Sequence, residues 1–322
     1  MNDLEGSRTT VASAAAPVIP DVIGQHLEEL AFLSIQRRLL LFAEDVGLAM
    51  LRRHDERLAA HWDGLVTGGG ASVRMALDRL DAFDPWERYV AARIWLDLGS
   101  PKGAEVAARI AHTEPELLGT WSEALRHVPL ARQEQLLPID AASRYGPAVL
   151  SVVVDARGWH GALDEHVAAE AGANVEPIVR GAVARTFGWI PPLAQSRALV
   201  SALARDPSPL VSRRALWSIA LCNPAAALGH CRRCAAAGEA DAVVLRVLAL
   251  LGGPEDEELL APLAGTPDER WLPAPAGAGQ ESMAQIWRSV VRHARPELEW
   301  LRREVPDGFF DDVLREDVVP GE

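Results

Sequence analysis

The chain has 322 residues, 49% of them apolar and 24% charged, which is enough apolar material for a large core and excludes a collagen-like or wholly disordered chain. Its formal net charge of −13 repels phosphate backbones, so nucleic acid is not an expected partner. The sequence holds three cysteines and no run of about 18 uncharged apolar residues, and its start, Met1-Asn2-Asp3-Leu4-Glu5, lacks the basic-then-apolar order of a secretory signal. These features predict a soluble, cytoplasmic protein without disulfides or a membrane span. Single cores stop growing near roughly 250–300 residues, so either one elongated array or two units fits this length.

Residues 1–19 are rich in Ser, Thr, Ala and Gly and are expected to be disordered. From Pro20 to about residue 70 the pattern predicts an N-terminal helical cap. Leu27, Leu30, Ala31 and Ile35 recur at helical spacing, and a second helix over 44–66 turns Val46, Met50 and Leu58 inward before Gly68-Gly69-Gly70 ends it. That second helix carries His54, Asp55, Glu56 and His61. The two histidines are seven residues apart, not the four apart with an adjacent Glu that a metalloprotease requires, so the acids are expected to pair structurally with Arg52 or Arg53. The three glycines lack the Lys-Ser/Thr of a phosphate loop and read as a helix–helix turn.

Residues 71–272 carry an internal repeat. Val179, Val183, Phe187 and Gly188 return 32 residues later as Val211, Ala215, Ile219 and Ala220, and again as Val243, Val247, Leu251 and Gly252. An apolar stripe at i, i+4 and i+8 closed by a small residue is one face of a helix with its stop. A proline follows each time, at Pro191, Pro224 and Pro254, suited to the first turn of the next helix. An earlier frame reads Val90, Ile94, Leu98, Gly99, Pro101, and a weaker one contains Val149, Val153 and Gly158. Residues 113–147 depart from the pattern. Partner helices such as 193–204 lie between, and Asp206-Pro207-Ser208-Pro209 opens the next unit. The expected fold is therefore all-α, an α-solenoid of about five or six helix pairs whose faces are buried by stacking. Residues 273–322 should hold a Pro/Gly linker at 273–279, helices over 282–294 and 297–303, and an acidic tail. From Pro296 onward nine acidic residues stand against three basic ones.

The helix, short Asp-Pro turn, helix, Gly/Pro order resembles a HEAT repeat, most clearly in Glu176-Pro177-Ile178-Val179-Arg180 and Asp206-Pro207-Ser208-Pro209-Leu210-Val211. The stretches Val22-Ile23-Gly24-Gln25-His26-Leu27-Glu28-Glu29-Leu30 and His54-Asp55-Glu56-Arg57-Leu58-Ala59-Ala60-His61-Trp62-Asp63-Gly64-Leu65 further resemble an uncharacterised bacterial family of HEAT-like proteins. Some members are associated with type VI secretion gene neighbourhoods. The resemblance implies an accessory role of that kind and carries over no catalytic residue.

Three constellations remain. His230-Cys231-Arg232-Arg233-Cys234 invites zinc, but one Cys-x-x-Cys without a second pair falls short of four ligands. On a helix Ala227, Leu228, Cys231 and Cys234 share an apolar face, so core packing is expected. No Gly-x-Ser-x-Gly nucleophile elbow occurs, and no catalytic residue, metal or cofactor is expected. Trp217, with Arg185, Arg213 and Arg214, lies on the second helices that line the concave face of such a stack. Trp and Arg are enriched at binding hot spots. Trp217 is accordingly either covered by a neighbouring repeat or offered to a partner. These features predict a non-enzymatic scaffold or adaptor that grips a protein partner in its groove through Arg185, Arg213, Arg214 and Trp217. The alternative is a HEAT-like enzyme, a DNA glycosylase or tetrapyrrole lyase, which in the glycosylase case needs a basic groove that the net charge opposes.

Overall fold

A computed structural model describes residues 19–40, 47–82, 84–114, 117–188 and 194–260. The N-terminal segment before Ile19, Val46, Pro191 and everything expected for residues 273–322 lie outside the described residues. Among the described residues the chain is all helical, with no strand, and no helix is long and apolar enough to cross a membrane. The helices are α1 (Pro20–Leu40), α2 (Leu48–Gly68), α3 (Gly70–Leu77), α4 (Pro85–Leu98), α5 (Gly103–Ala111), α6 (Leu118–Arg126), α7 (Leu130–Leu136), α8 (Ile139–Ala142), α9 (Pro147–Trp159), α10 (Glu165–Gly172), α11 (Pro177–Thr186), α12 (Ala194–Leu203), α13 (Pro209–Cys222), α14 (Pro224–Ala236), α15 (Ala242–Leu251) and α16 (Glu257–Leu260).

Local chemistry fixes the starts and stops. Asp84 caps α4 by accepting from the Trp86 and Glu87 amides, with Pro85 in the first turn. Asp164 caps α10, Asn223 caps α14 and Asp241 caps α15 in the same way. Gly69 lets α2 turn into α3, because its φ of 51° is a conformation that favours glycine.

The apolar frames found in the sequence are the buried faces of α4, α9, α11, α13 and α15. Val90, Ile94, Val149, Val179, Val183, Val211, Ala215 and Val247 are fully buried. These helices pack on one another in chain order: α1 on α4, α4 on α6, α6 on α9, α9 on α11, α11 on α13 and α13 on α15. Of the shorter helices, α3 lies against α4, α10 against α11, α12 against α13 and α14 between α13 and α15, whereas α5 reaches past α6 to pack on α7 and α9. Apolar packing is correspondingly local. One cluster runs from Ile23 to Ala156, a second from Val154 to Ala215, and a third from Leu216 to Leu248. Leu150 and Ile178 bridge the first two, and Ile219 bridges the second and third.

Some inward assignments change. Leu27, Leu30 and Ala31 are buried, but Ile35 is 37% exposed, because the buried face of α1 centres near Leu30 and Ile35 falls at its margin. Met50 is 42% exposed, since in the first turn of α2 it is Leu51 that points inward. Asp55 pairs with Arg37 of α1 at 2.6 Å, not with Arg52 or Arg53, whose side chains are exposed on the same helix. His54 is buried and its Nε2 donates to the Leu33 carbonyl at 2.7 Å.

Polar rungs link neighbouring units from α6 to α15. The Ser218 hydroxyl donates to the Ala184 carbonyl at 2.6 Å. Arg180 makes a two-pronged pair with Asp206 at 2.7 and 2.9 Å, and Arg213 pairs with Asp241 at 3.1 Å. The deepest rung is Asp155 on α9, fully buried, which binds Arg126 of α6 on one oxygen and Arg185 of α11, at 2.7 Å from Nε, on the other. Burial, together with nearby Arg185, pulls the Arg126 guanidinium down to about 10 against the opposing pull of Asp155. Removing one member of a buried charge cluster leaves the rest uncompensated, at a cost of about 3–5 kcal/mol. Asp155→Asn is therefore expected to lose about that much in urea denaturation, and a loss below about 1 kcal/mol would show that the clasp does not hold these helices together.

Candidate functional site

The four residues singled out from the sequence do not sit alike. Arg185 is 8% exposed and turned into the protein onto Asp155. Trp217 is also 8% exposed and packs with Leu216, Ala220, Cys231, Val243 and Val244. Arg213 is half-buried beside Asp241, and Arg214 is half-buried against Gly181 of the preceding long helix. On α14, Cys231 is fully buried beside Trp217, and burial pushes its thiol up to about 12. Cys234 lies 3.5 Å from His230 Nε2, and Cys222 donates to the Phe187 carbonyl. Among the described residues no group of three or more His, Cys, Asp or Glu is arranged to hold a metal ion.

A different place gathers aromatic and charged groups. A cleft of about 400 Å³ lies where α1, α2, α4, α6 and the end of α9 meet. Helical spacing brings its walls together. Trp86, Tyr89 and Arg93 follow at i, i+3 and i+7 on α4, Leu58 and Trp62 at i and i+4 on α2, and Glu123 and His127 at i and i+4 on α6 and its cap. Trp159 closes the side formed by α9. A larger cavity of about 690 Å³ lies along α4, α5 and α6, but among the described residues its rings are Trp121 and His112 alone.

The cleft is organised by rings. Trp86 meets Tyr89 edge to face at 6.1 Å, and Tyr89 meets His127 edge to face at 6.2 Å. The Arg93 guanidinium lies 4.0 Å from the centre of the Trp62 ring, and Arg126, just beneath, lies 5.7 Å from that of Trp159. Tyr89 is buried, which pushes its phenol up to about 12, with Glu123 adding to the rise and Arg93 opposing it. It stays protonated as a donor. His127 is held well below its usual value by burial, and then by Arg93, Arg126 and Arg37, so it is neutral at pH 7. Glu123 is 7% exposed and lies near Arg126. Tyr89 and His127 both titrate away from neutral pH, so neither is tuned for proton transfer there, while the rings and guanidinium offer flat apolar faces with a cationic edge.

Sequence reading missed this cleft. The spacing of Trp86, Tyr89 and Arg93 was visible, but nothing local says that this flank of α4, next to the buried Val90 and Ile94, opens to a cavity. The chain matches no family model, no curated protein and no solved structure.

Two expectations follow from these placements. A Trp buried between helices costs roughly 3–5 kcal/mol when truncated to Ala, so Trp217→Ala should show a large fall in melting temperature. An unchanged melting temperature would instead place Trp217 at the surface. Histidines give the pH dependence. His127, His61 and His230 are all lowered, each chiefly by burial. The unfolded chain therefore takes up protons first, so the histidines' share of stability is complete above about pH 6.5 and falls as pH drops below it, chiefly through His127, held well below its usual value, at up to about 1.4 kcal/mol per pH unit for that residue. Melting curves between pH 7.5 and 5 should show this fall, with a shallower slope in His127→Gln. An unchanged slope in that variant would mean His127 is not held neutral.

Proposed function

We propose that the chain is an α-solenoid of HEAT-like helix pairs acting as a non-enzymatic protein-binding scaffold or adaptor, with the aromatic–arginine cleft as its main grip. Support for the solenoid comes from the regular helix starts at residues 85, 118, 147, 177, 209 and 242, each followed by a second helix before the next. From α9 onward the main helix contacts and polar rungs reach one unit along, as in quasi-one-dimensional repeat proteins. The observation that carries the binding role is the convergence of Trp62, Trp86, Tyr89 and Trp159 with Arg93 in one cleft. Trp, Tyr and Arg are the side chains most enriched at binding hot spots, because they bring large contact area and a polar handle. Arg213 and Arg214, on the surface of α13, form a secondary contact. Through the family resemblance, the sharpest form of this role is an accessory of bacterial type VI secretion in the cytoplasm.

The test is affinity capture of the native partner by the full chain, compared with Trp62→Ala and Arg93→Gln. Truncating a hot spot commonly costs about 2 kcal/mol or more, which is some tens-fold in affinity. The expected result is that fold loss with an unchanged melting temperature. Full retention of the partner by both variants would overturn the cleft's role.

A further inference from the structure

We infer that the cleft receives a segment of this same chain, residues 307–312, Asp307-Gly308-Phe309-Phe310-Asp311-Asp312. The inference rests on reading the cleft as a binding site and adds its occupant. The cleft's own charges specify the guest. Arg37, on its wall, is answered by Asp55 at 2.6 Å, Glu123 lies near Arg126, and His127 is neutral. Arg93 differs from its neighbours. It is stacked on Trp62 beside the Tyr89 hydroxyl, its Nε is buried without a hydrogen-bond partner, and among the described residues no carboxylate forms an ion pair with it. Asp97, one turn along α4, feels its charge without pairing with it. A guest that satisfies this cleft brings a carboxylate for Arg93 and large flat apolar groups for the tryptophans.

Residues 307–312 supply both, with three aspartates around two adjacent phenylalanines in the most acidic part of the chain. Leu260 is the last described residue, and the chain between it and residue 307, at up to about 3.3–3.6 Å per residue, is long enough to reach any part of the helical stack. Tethering raises the local concentration of the segment to about millimolar, so a weak contact suffices to fill the cleft, and an outside partner must displace it.

The test places the photo-crosslinker p-benzoylphenylalanine at position 310 of the full chain. The expected product has the size of one chain and joins the peptide holding residue 310 to peptides that contain Trp62, or Trp86 and Arg93. Its yield should fall roughly ten-fold in Arg93→Gln, and equally in a chain carrying both Asp311→Asn and Asp312→Asn. Arg144→Gln, an exposed arginine between α8 and α9, should change nothing. Crosslinks elsewhere, a yield indifferent to the aspartate changes, or a product of two chains would overturn the inference. Cleft variants that lose the native partner while position 310 never links to the cleft would remove self-docking and leave partner binding standing. A cleft link in a chain whose cleft variants keep the partner would remove partner binding alone.

Discussion

The arrangement of the central helices depends on one fully buried carboxylate. Asp155 sits in the middle of α9 and is held from both sides, by Arg126 of the helix before and Arg185 of the helix after. A buried carboxylate is costly unless paired, and so is each of the two arginines. The three therefore tie α6, α9 and α11 to one another at a single buried point. Such clusters contribute little net stability over apolar replacements, so their effect lies more in specificity than in strength. Close packing reinforces the same joint. A Cβ at Gly158 would overlap the fully buried Thr186, so α9 and α11 approach at a glycine.

The clasp reaches the cleft through Arg126. Its guanidinium binds Asp155 and lies over Trp159, and its carbonyl accepts from His160 at 2.8 Å. The same charge helps to keep His127 neutral and offsets Glu123. The position of one cleft wall and the protonation of another are thus set by a buried pairing whose carboxylate does not line the cleft.

The helical class and its periodicity were legible because apolar stripes at i, i+4 and i+8 need no knowledge of tertiary contacts. Val179, Val211 and Val243 each head such a stripe, and each is buried. The helix α6 was illegible for the converse reason. Its buried face includes Glu123 and Arg126, charged residues that sequence patterning assigns to solvent. Buried Arg185 misled in the same way. An arginine on the flank opposite an apolar stripe reads as surface, and only the position of Asp155, 30 residues earlier, turns it inward. Trp217 was left open between a neighbour's core and a partner's surface. That choice depends on how close α14 and α15 come, which spacing within α13 does not encode. The cleft was invisible because five helices contribute to it and none gives more than three side chains.

The distribution of charge gives the cleft its character. The chain carries −13 overall and has a single lysine, Lys102, so nearly all its cations are arginines. Many of these sit in rungs with aspartate, where a planar, permanently charged fork suits two-pronged pairing. Pairing inside the stack removes arginine from the surface field and leaves excess carboxylates outside. A site with an arginine not matched by a carboxylate is then locally opposite in sign to its surroundings. In the binding role proposed for it, such a site would select by charge as well as by shape, since a basic guest would meet the like charge of Arg93 at close range while an acidic one would pair with it.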